Sequence, residues 1–329
     1  MVFIDIKGAY DYIKKPYMLK VLKRLNLPQP LIDWVDSFMS NRGVQLAFKG
    51  QVSQLTSLET GIPQGSPISQ VLFLIYVKDI AQRKAYQLSY IDDFSVSMTS
   101  LSARANCIGL AGVIATLFSK AKDQAVQFEP EKTELIHFHN KRSPILESIR
   151  IRDLEVLPKE VVRYLGVWLD SKLSFKAHVE KRTNSAFNAL YSLKRLASTQ
   201  KGLSFKAIRR LYIACIISIA DYGIQAWWKP RIASSSKLVT KYQRLQNLAT
   251  RHMLGAFKGS PQRALEVKAA IMPPRVRFKR LCNRYALRTL YFNKKHPIIE
   301  LGLEEAQDEL NMEKEARLHS LLGYIKPTS

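Results

Sequence analysis

The stretch Ser89-Tyr90-Ile91-Asp92-Asp93-Phe94-Ser95-Val96 sets two adjacent carboxylates inside a run whose other members favour a packed strand. Asp5 repeats the pattern in Val2-Phe3-Ile4-Asp5-Ile6. An ionised carboxylate among apolar side chains is expensive unless something neutralises it. Adjacent Asp residues also suit a turn, where they bond to nearby backbone. Two neighbouring strands that each deliver a carboxylate place them side by side on one face, a donor set suited to the hard, oxygen-loving Mg²⁺ ion. Two such ions roughly 3.5–4 Å apart activate an attacking hydroxyl and stabilise a leaving phosphate oxygen.

The charge balance points to a polyanionic partner for that chemistry. The 329 residues include 51 Lys or Arg against 27 Asp or Glu, a net +24. Between Lys181 and Glu300 stand 25 basic residues against only Asp221, Glu266 and Glu300, so this segment carries +22 of the total. Such a one-sided field repels itself and is offset by phosphates in a groove, or else is a solvated basic surface. Cys107, Cys215 and Cys282 have neither paired spacing nor a His cluster, which excludes a disulfide framework and a zinc site and suits a reducing compartment. The longest apolar runs, Ile68 to Val77 and Leu211 to Ala220, are too short or too interrupted to span a bilayer, so a soluble protein with no membrane partner is expected.

The elements that must position these residues read as an α+β layer followed by helices. Val2 to Ile6 is a buried strand, Pro16 to Leu25 and Leu31 to Met39 are helices, and Val44 to Phe48 with Val52 to Leu58 form a hairpin about Lys49-Gly50. The loop Gly61-Ile62-Pro63-Gln64-Gly65-Ser66-Pro67 leads into a helix from Ser69 to about Ala81. A hairpin carries Asp92 and Asp93; a helix over Ala103 to Lys122 and strands at Leu135 to Phe138 and Val161 to Leu169 follow. Beyond Phe175 helices are expected over Ala177 to Leu196, Ser204 to Tyr222 with Ser204 as cap, Ser236 to Leu254 and Pro274 to Tyr291. From Leu301 the chain turns acidic, as a further helix.

Phe3-Ile4-Asp5-Ile6-Lys7-Gly8-Ala9-Tyr10-Asp11, Gly61 to Pro67 and Tyr90-Ile91-Asp92-Asp93 resemble, in order, the successive palm motifs of reverse transcriptases. With Ile68-Ser69 and Val71 to Tyr76, Gly61 to Pro67 is similar to the form found in non-LTR (LINE-type) retrotransposons, most like those of filamentous fungi. The resemblance runs on through Phe128 to Leu135, Arg163 to Asp170, Leu211-Tyr212 and Asp221-Tyr222-Gly223. It implies a polymerase palm at 1–172, an antiparallel sheet with packed helices. A basic α-helical thumb and post-thumb region would follow at 173–300, and a helical tail at 301–329.

By that resemblance Asp5, Asp92 and Asp93, with the Ile6 carbonyl, hold two Mg²⁺ ions, for which Mn²⁺ can substitute. Tyr10 would lie under the sugar of an incoming dNTP and reject a 2′-hydroxyl. Gln64 and Gly65 would touch nucleotide and template, Lys132 would neutralise or protonate departing pyrophosphate, and Leu165 and Gly166 would form the primer-grip turn. Arg209, Arg210, Arg275, Arg277, Lys279 and Arg280 are the candidates, as a patch, for phosphate contacts with RNA template and DNA primer.

The chain departs from the family pattern in two respects. Residue 1 falls just before the first catalytic strand, where relatives carry fingers upstream, and Gln70 stands where relatives usually have Pro. An N-terminally truncated fragment without fingers is expected, with apolar surface exposed near the first strand. The competing readings are an inactive nucleic-acid-binding relic and a maturase-like or telomerase-like enzyme. A LINE-type element implies the nucleus; a maturase implies the mitochondrion. Oligomeric state is not legible.

Overall fold

The computed structural model describes residues 1–80, 87–196, 202–229, 233–292 and 299. The chain divides into two compact units, one of Met1–Leu165 with Asp170–Leu173, the other of Gly166–Leu169 with the chain from Ser174 onward.

In the first unit β1 (Val2–Asp5) buries its three apolar residues. Helices α1 (Lys15–Arg24) and α2 (Gln29–Met39) follow, each with a Pro in its first turn, where a missing N–H is no loss. They bury Met18, Val21 and Leu22 on α1 and Ile32, Val35 and Met39 on α2, each worth about 2 kcal/mol of transfer free energy. Strands β2 (Arg42–Val44), β3 (Ala47–Phe48), β4 (Gln51–Val52) and β5 (Thr56–Leu58) nest as two hairpins, β3 on β4 within β2 on β5. The expected turn at Lys49-Gly50 is there, both residues having positive φ. Leu46, Phe48, Val52 and Leu55 on these hairpins are exposed.

Next come α3 (Pro67–Val77), β6 (Gln87–Tyr90), β7 (Asp93–Val96) and α4 (Ala103–Asp123). The Ser102 hydroxyl caps α4 by accepting from the Ala105 N–H. The unit continues with β8 (Glu134–Leu135), β9 (Ile149–Ile151), β10 (Leu154–Val156) and β11 (Val161–Tyr164); β9 and β10 pair as a hairpin of their own. The main sheet is antiparallel in the order β6-β7-β1-β8. Thus β1 is an interior strand with Val2 and Ile4 in the core, while Leu88 and Tyr90 on β6 of the same sheet are exposed. Two helix and strand boundaries also shift: α3 begins at Pro67 and ends at Val77, and the strand expected over Leu135 to Phe138 shortens to β8.

The second unit takes most of β12 (Val167–Asp170) and is otherwise helical. Its helices are α5 (Lys176–Leu196), α6 (Phe205–Leu211), α7 (Ser218–Ala220), α8 (Ile224–Trp227), α9 (Ala233–Leu254), α10 (Gln262–Lys268) and α11 (Pro274–Leu290). The helix expected over Ser204 to Tyr222 starts on the Ser204 cap as read, but passes through a π-helical turn at Tyr212–Ile217 and stops at Ala220. Phe278 anchors the core, its ring packed edge-on against Trp227, Trp228 and Tyr242 at centroid distances of 6.0, 5.8 and 4.9 Å. The tail helix expected at 301–329 lies outside the described residues. No described helix is long and apolar enough to cross a membrane.

Candidate functional site

Register brings the first carboxylates together. Asp5, at the end of β1, is the cross-strand partner of Asp93, at the start of β7, so both side chains leave the sheet on one face. Asp92 is the second residue of the two-residue turn that joins β6 to β7, where Tyr90 pairs with Asp93. The residue before it, Ile91, has φ +57°, a conformation that suits Gly or Asn and costs a β-branched residue about 1–3 kcal/mol. The hairpin therefore holds Asp92 through a strained turn.

Burial first, and then the charges of Asp92 and Asp5, push the Asp93 carboxyl above its usual range. Three acids share one field, and a divalent cation with hard-oxygen preference is the group that would relieve it. As the side chains lie, no group of three or more His, Cys, Asp or Glu among the described residues forms a metal cage. Lys132 supplies one positive charge instead: its Nζ lies 3.2 Å from Asp5 Oδ2 and 2.7 Å from Glu129 Oε2. The segment bearing it runs beside β1, with the Glu129 N–H donating to the Asp5 carbonyl at 3.0 Å, the Lys7 N–H to the Gln127 carbonyl at 2.8 Å, and Ile6 bridged to Phe128. Hydrogen bonds to Glu129 and then Asp5 raise the Lys132 pKa, so the ammonium stays protonated.

A second cluster forms where the chain after β1 meets the loop before α3. The Gly61 N–H donates to the Ile13 carbonyl and the Ile62 N–H to the Tyr10 carbonyl, both at 2.8 Å. Gly61 has φ +84°, and a Cβ there would lie 2.9 Å from the carbonyl oxygens of both Tyr10 and Asp11, so only glycine lets the two segments touch. The Arg42 guanidinium ties the same loop through the Gly61 carbonyl at 2.7 Å. Gln64 Nε2 donates to Asp11 Oδ1 at 3.2 Å, and Gly65 has φ +88° with open space where a side chain would be. The Tyr10 ring stacks on Phe73 at 5.2 Å, and burial followed by the charge of Asp92 raises its hydroxyl pKa. Tyr10, Gln64 and Gly65 thus share one loop pair, and Tyr10 lies within the field of Asp92.

In the second unit, Gly166 at φ +77° sits against Tyr222, whose ring would be 3.0 Å from an added Cβ. Arg182 Nη2 donates to the Gly166 carbonyl at 2.6 Å and its guanidinium lies 4.2 Å from the Tyr222 ring centroid. The buried His178 accepts from the Trp168 N–H at Nδ1, 3.2 Å, and donates from Nε2 to the Tyr222 carbonyl, 2.9 Å. Leu165, the residue before this turn, is exposed at φ +46°.

Two of the basic candidates are corrected. Arg277 is buried and ion-paired to Asp221, with a second bond from Nη2 to Asp221 Oδ1 at 3.1 Å and one from Nη1 to Gln246 Oε1 at 2.7 Å. It is a core residue, because a buried guanidinium with four of its N–H groups engaged inside is not available to a phosphate. Arg209 donates from Nε and Nη2 to the carbonyls of Ala269 and Ala270, each at 2.7 Å, where α10 ends, and so caps that helix. Arg210, Arg275, Lys279 and Arg280 are exposed.

Sequence reasoning passed over Asp11, Glu129, His178 and Arg182. Asp11 and Glu129 stand inside the motif runs already picked out, one residue from Tyr10 and three from Lys132. Nothing in the sequence marks His178 or Arg182, whose role depends on a packing neighbour forty or more residues away in Tyr222.

Residues 1–169, just over half the chain, match the family described as reverse transcriptase (RNA-dependent DNA polymerase). "Probable RNA-directed DNA polymerase from transposon BS" of Drosophila melanogaster is 27% identical over 262 residues, 77% of this chain and 28% of that protein. "RNA-directed DNA polymerase from mobile element jockey" of the same fly is 26% identical over 263 residues, with the same shares covered. The chain thus spans 28% of the length of these curated relatives. Among solved structures, apo telomerase from Candida Tropicalis overlaps 91% of this chain and 52% of its own at 14% identity and a TM-score of 0.37, too weak a likeness to bear on the argument.

Proposed function

The chain belongs to the reverse transcriptase (RNA-dependent DNA polymerase) family, and we propose that it carries the catalytic centre of a non-LTR retrotransposon polymerase that extends a DNA primer on an RNA template. The observation that carries the reading is the register of Asp5 opposite Asp93 with Asp92 on the adjoining turn. Asp5 and Asp93 face each other across the two strands with Asp92 beside them, and among the described residues the exposed Lys132 ion-pairs with Asp5.

Asp5, Asp92, Asp93 and the Ile6 carbonyl are the groups that would hold two Mg²⁺ ions, which when bound share the charge of attacking hydroxyl and leaving phosphate oxygens. Lys132 Nζ, kept protonated by Glu129 and Asp5, is placed to hand a proton or a charge to pyrophosphate. The Tyr10 ring, packed on Phe73, is the group that would fill the space of a 2′-hydroxyl. Gly65 leaves its backbone open to a base or sugar, and the Gly166 turn, held by Arg182, supports the primer end. Arg210, Arg275, Lys279 and Arg280 contribute sequence-independent phosphate contacts. The kinship to fungal elements and action in the nucleus belong to this proposal; the curated relatives named above are insect elements.

The test is incorporation of dNTPs on a primed RNA template by purified protein with Mg²⁺, beside Asp92→Ala. Extension in the first and none in the second is expected. Extension that survives Asp92→Ala overturns the assignment.

A further inference from the structure

Helix α11, Pro-Arg-Val-Arg-Phe-Lys-Arg-Leu-Cys-Asn-Arg-Tyr-Ala-Leu-Arg-Thr-Leu, contains six basic residues and no acid. Arg277 and Phe278 fasten its first half to the core, while other positions along the helix stay in solvent. Among these Val276, Arg280, Arg284, Leu287 and the C-capping Tyr291 follow at intervals of four, four, three and four residues, which puts them on one line down the helix, flanking Arg277. All five are exposed, Leu287 at 54% and Tyr291 at 89%. Apolar and aromatic side chains thus share a single ridge with guanidinium groups.

We infer that this ridge is a track for single-stranded RNA, with the arginines on phosphates and Leu287 and Tyr291 against unstacked bases. A protein partner docked on Val276, Leu287 and Tyr291 would have to set acidic groups opposite Arg280 and Arg284, whereas a nucleic-acid strand carries that charge at every phosphate. Paired duplex gives arginines the same phosphates but hides the base faces, leaving Leu287 and Tyr291 in water. Only an unpaired strand satisfies both halves of the ridge, by the combination of positive charge and aromatic platforms through which proteins hold single strands. The inference deepens the polymerase reading by naming the ligand of one basic helix, and it rests on that reading only for the biological source of the RNA.

The experiment is fluorescence anisotropy of the full chain with a labelled unstructured RNA and with an RNA–DNA duplex of equal length, across a salt series. The Leu287→Ala/Tyr291→Ala double variant changes only exposed residues. It is expected to weaken single-strand binding about tenfold while leaving the salt slope and duplex affinity near wild type. Arg280→Gln/Arg284→Gln is expected to flatten the single-strand salt slope by about 1.4. Equal losses on duplex and single strand, or none on either from the double variant, overturn the inference and leave only a phosphate-binding surface. If the single-strand result holds and wild-type protein gives no primer extension, the polymerase assignment fails and the RNA track stands.

Discussion

Asp93 and Asp221 are both carboxylates set in apolar surroundings, and the molecule treats them in opposite ways. Asp221 meets a guanidinium from its own chain: Arg277, equally buried, engages both of its oxygens. Asp93 meets two more carboxylates, and burial with their charge lifts its pKa. One site is electrostatically complete and the other is left in deficit. On the proposed reading that deficit, relieved in the structure by Lys132 on Asp5, awaits a cation from outside, whereas the closed pair is architecture. Net local charge, more than burial, separates the two.

The sharpest break in this comparison is catalytic. Asp92→Ala should reduce incorporation by at least about 10²-fold, the scale on which a lost transition-state stabiliser registers, while circular dichroism and melting stay near wild type. A melting loss comparable to the activity loss would make Asp92 structural like Asp221. On the other side, Arg277→Ala strands a buried carboxylate and should cost the second unit about 3–5 kcal/mol, measured by urea unfolding. A loss under about 1 kcal/mol would show the pair to be dispensable.

Paired neutral substitutions then sharpen the contrast. Asp93→Asn removes like-charge repulsion and should leave stability unchanged or raise it by up to about 1 kcal/mol, whereas Asp221→Asn should lower it. Equal signs would erase the distinction. Smallest is an effect of pH in the second unit. Burial, joined by the charge of Arg182, holds the His178 pKa below its ordinary value near 6.5. The neutral ring uses both nitrogens, and a proton on Nδ1 breaks the Trp168 bond. Its contribution is therefore full above pH 6.5 and is lost as pH falls from there toward the folded-state value, at no more than about 1.4 kcal/mol per pH unit. His178→Gln should flatten that decline in melting curves recorded between pH 7 and 5; an unchanged decline would assign it to another group.

Much of the catalytic corner was legible because its signals are local. An acid inside an apolar strand, a Gly- and Pro-marked loop and a two-residue turn each announce themselves within a few positions, and β1, β7 and the Lys49-Gly50 hairpin lie where periodicity put them. Arg277 misled because an arginine in a basic helix looks the same whether it faces solvent or a buried Asp221. Its spacing from the core-facing Phe278 could not show which, since adjacent helix positions differ by only about 100°. The neighbours of β1 were not legible for a similar reason: strand order is set by partners far along the chain, and no stretch of β1 itself states that β7 and β8 flank it.

That interior placement has a kinetic consequence. Val2 pairs with Val96 on one side and Leu135 on the other, so β1 cannot settle until both of those distant segments have been synthesised. Closing such long loops comes late, because their ordering entropy is lost before any pairing compensates. Asp5 and Asp93 therefore cannot face each other until β7, some ninety residues on, has been made, and a shorter nascent chain has no assembled acidic corner.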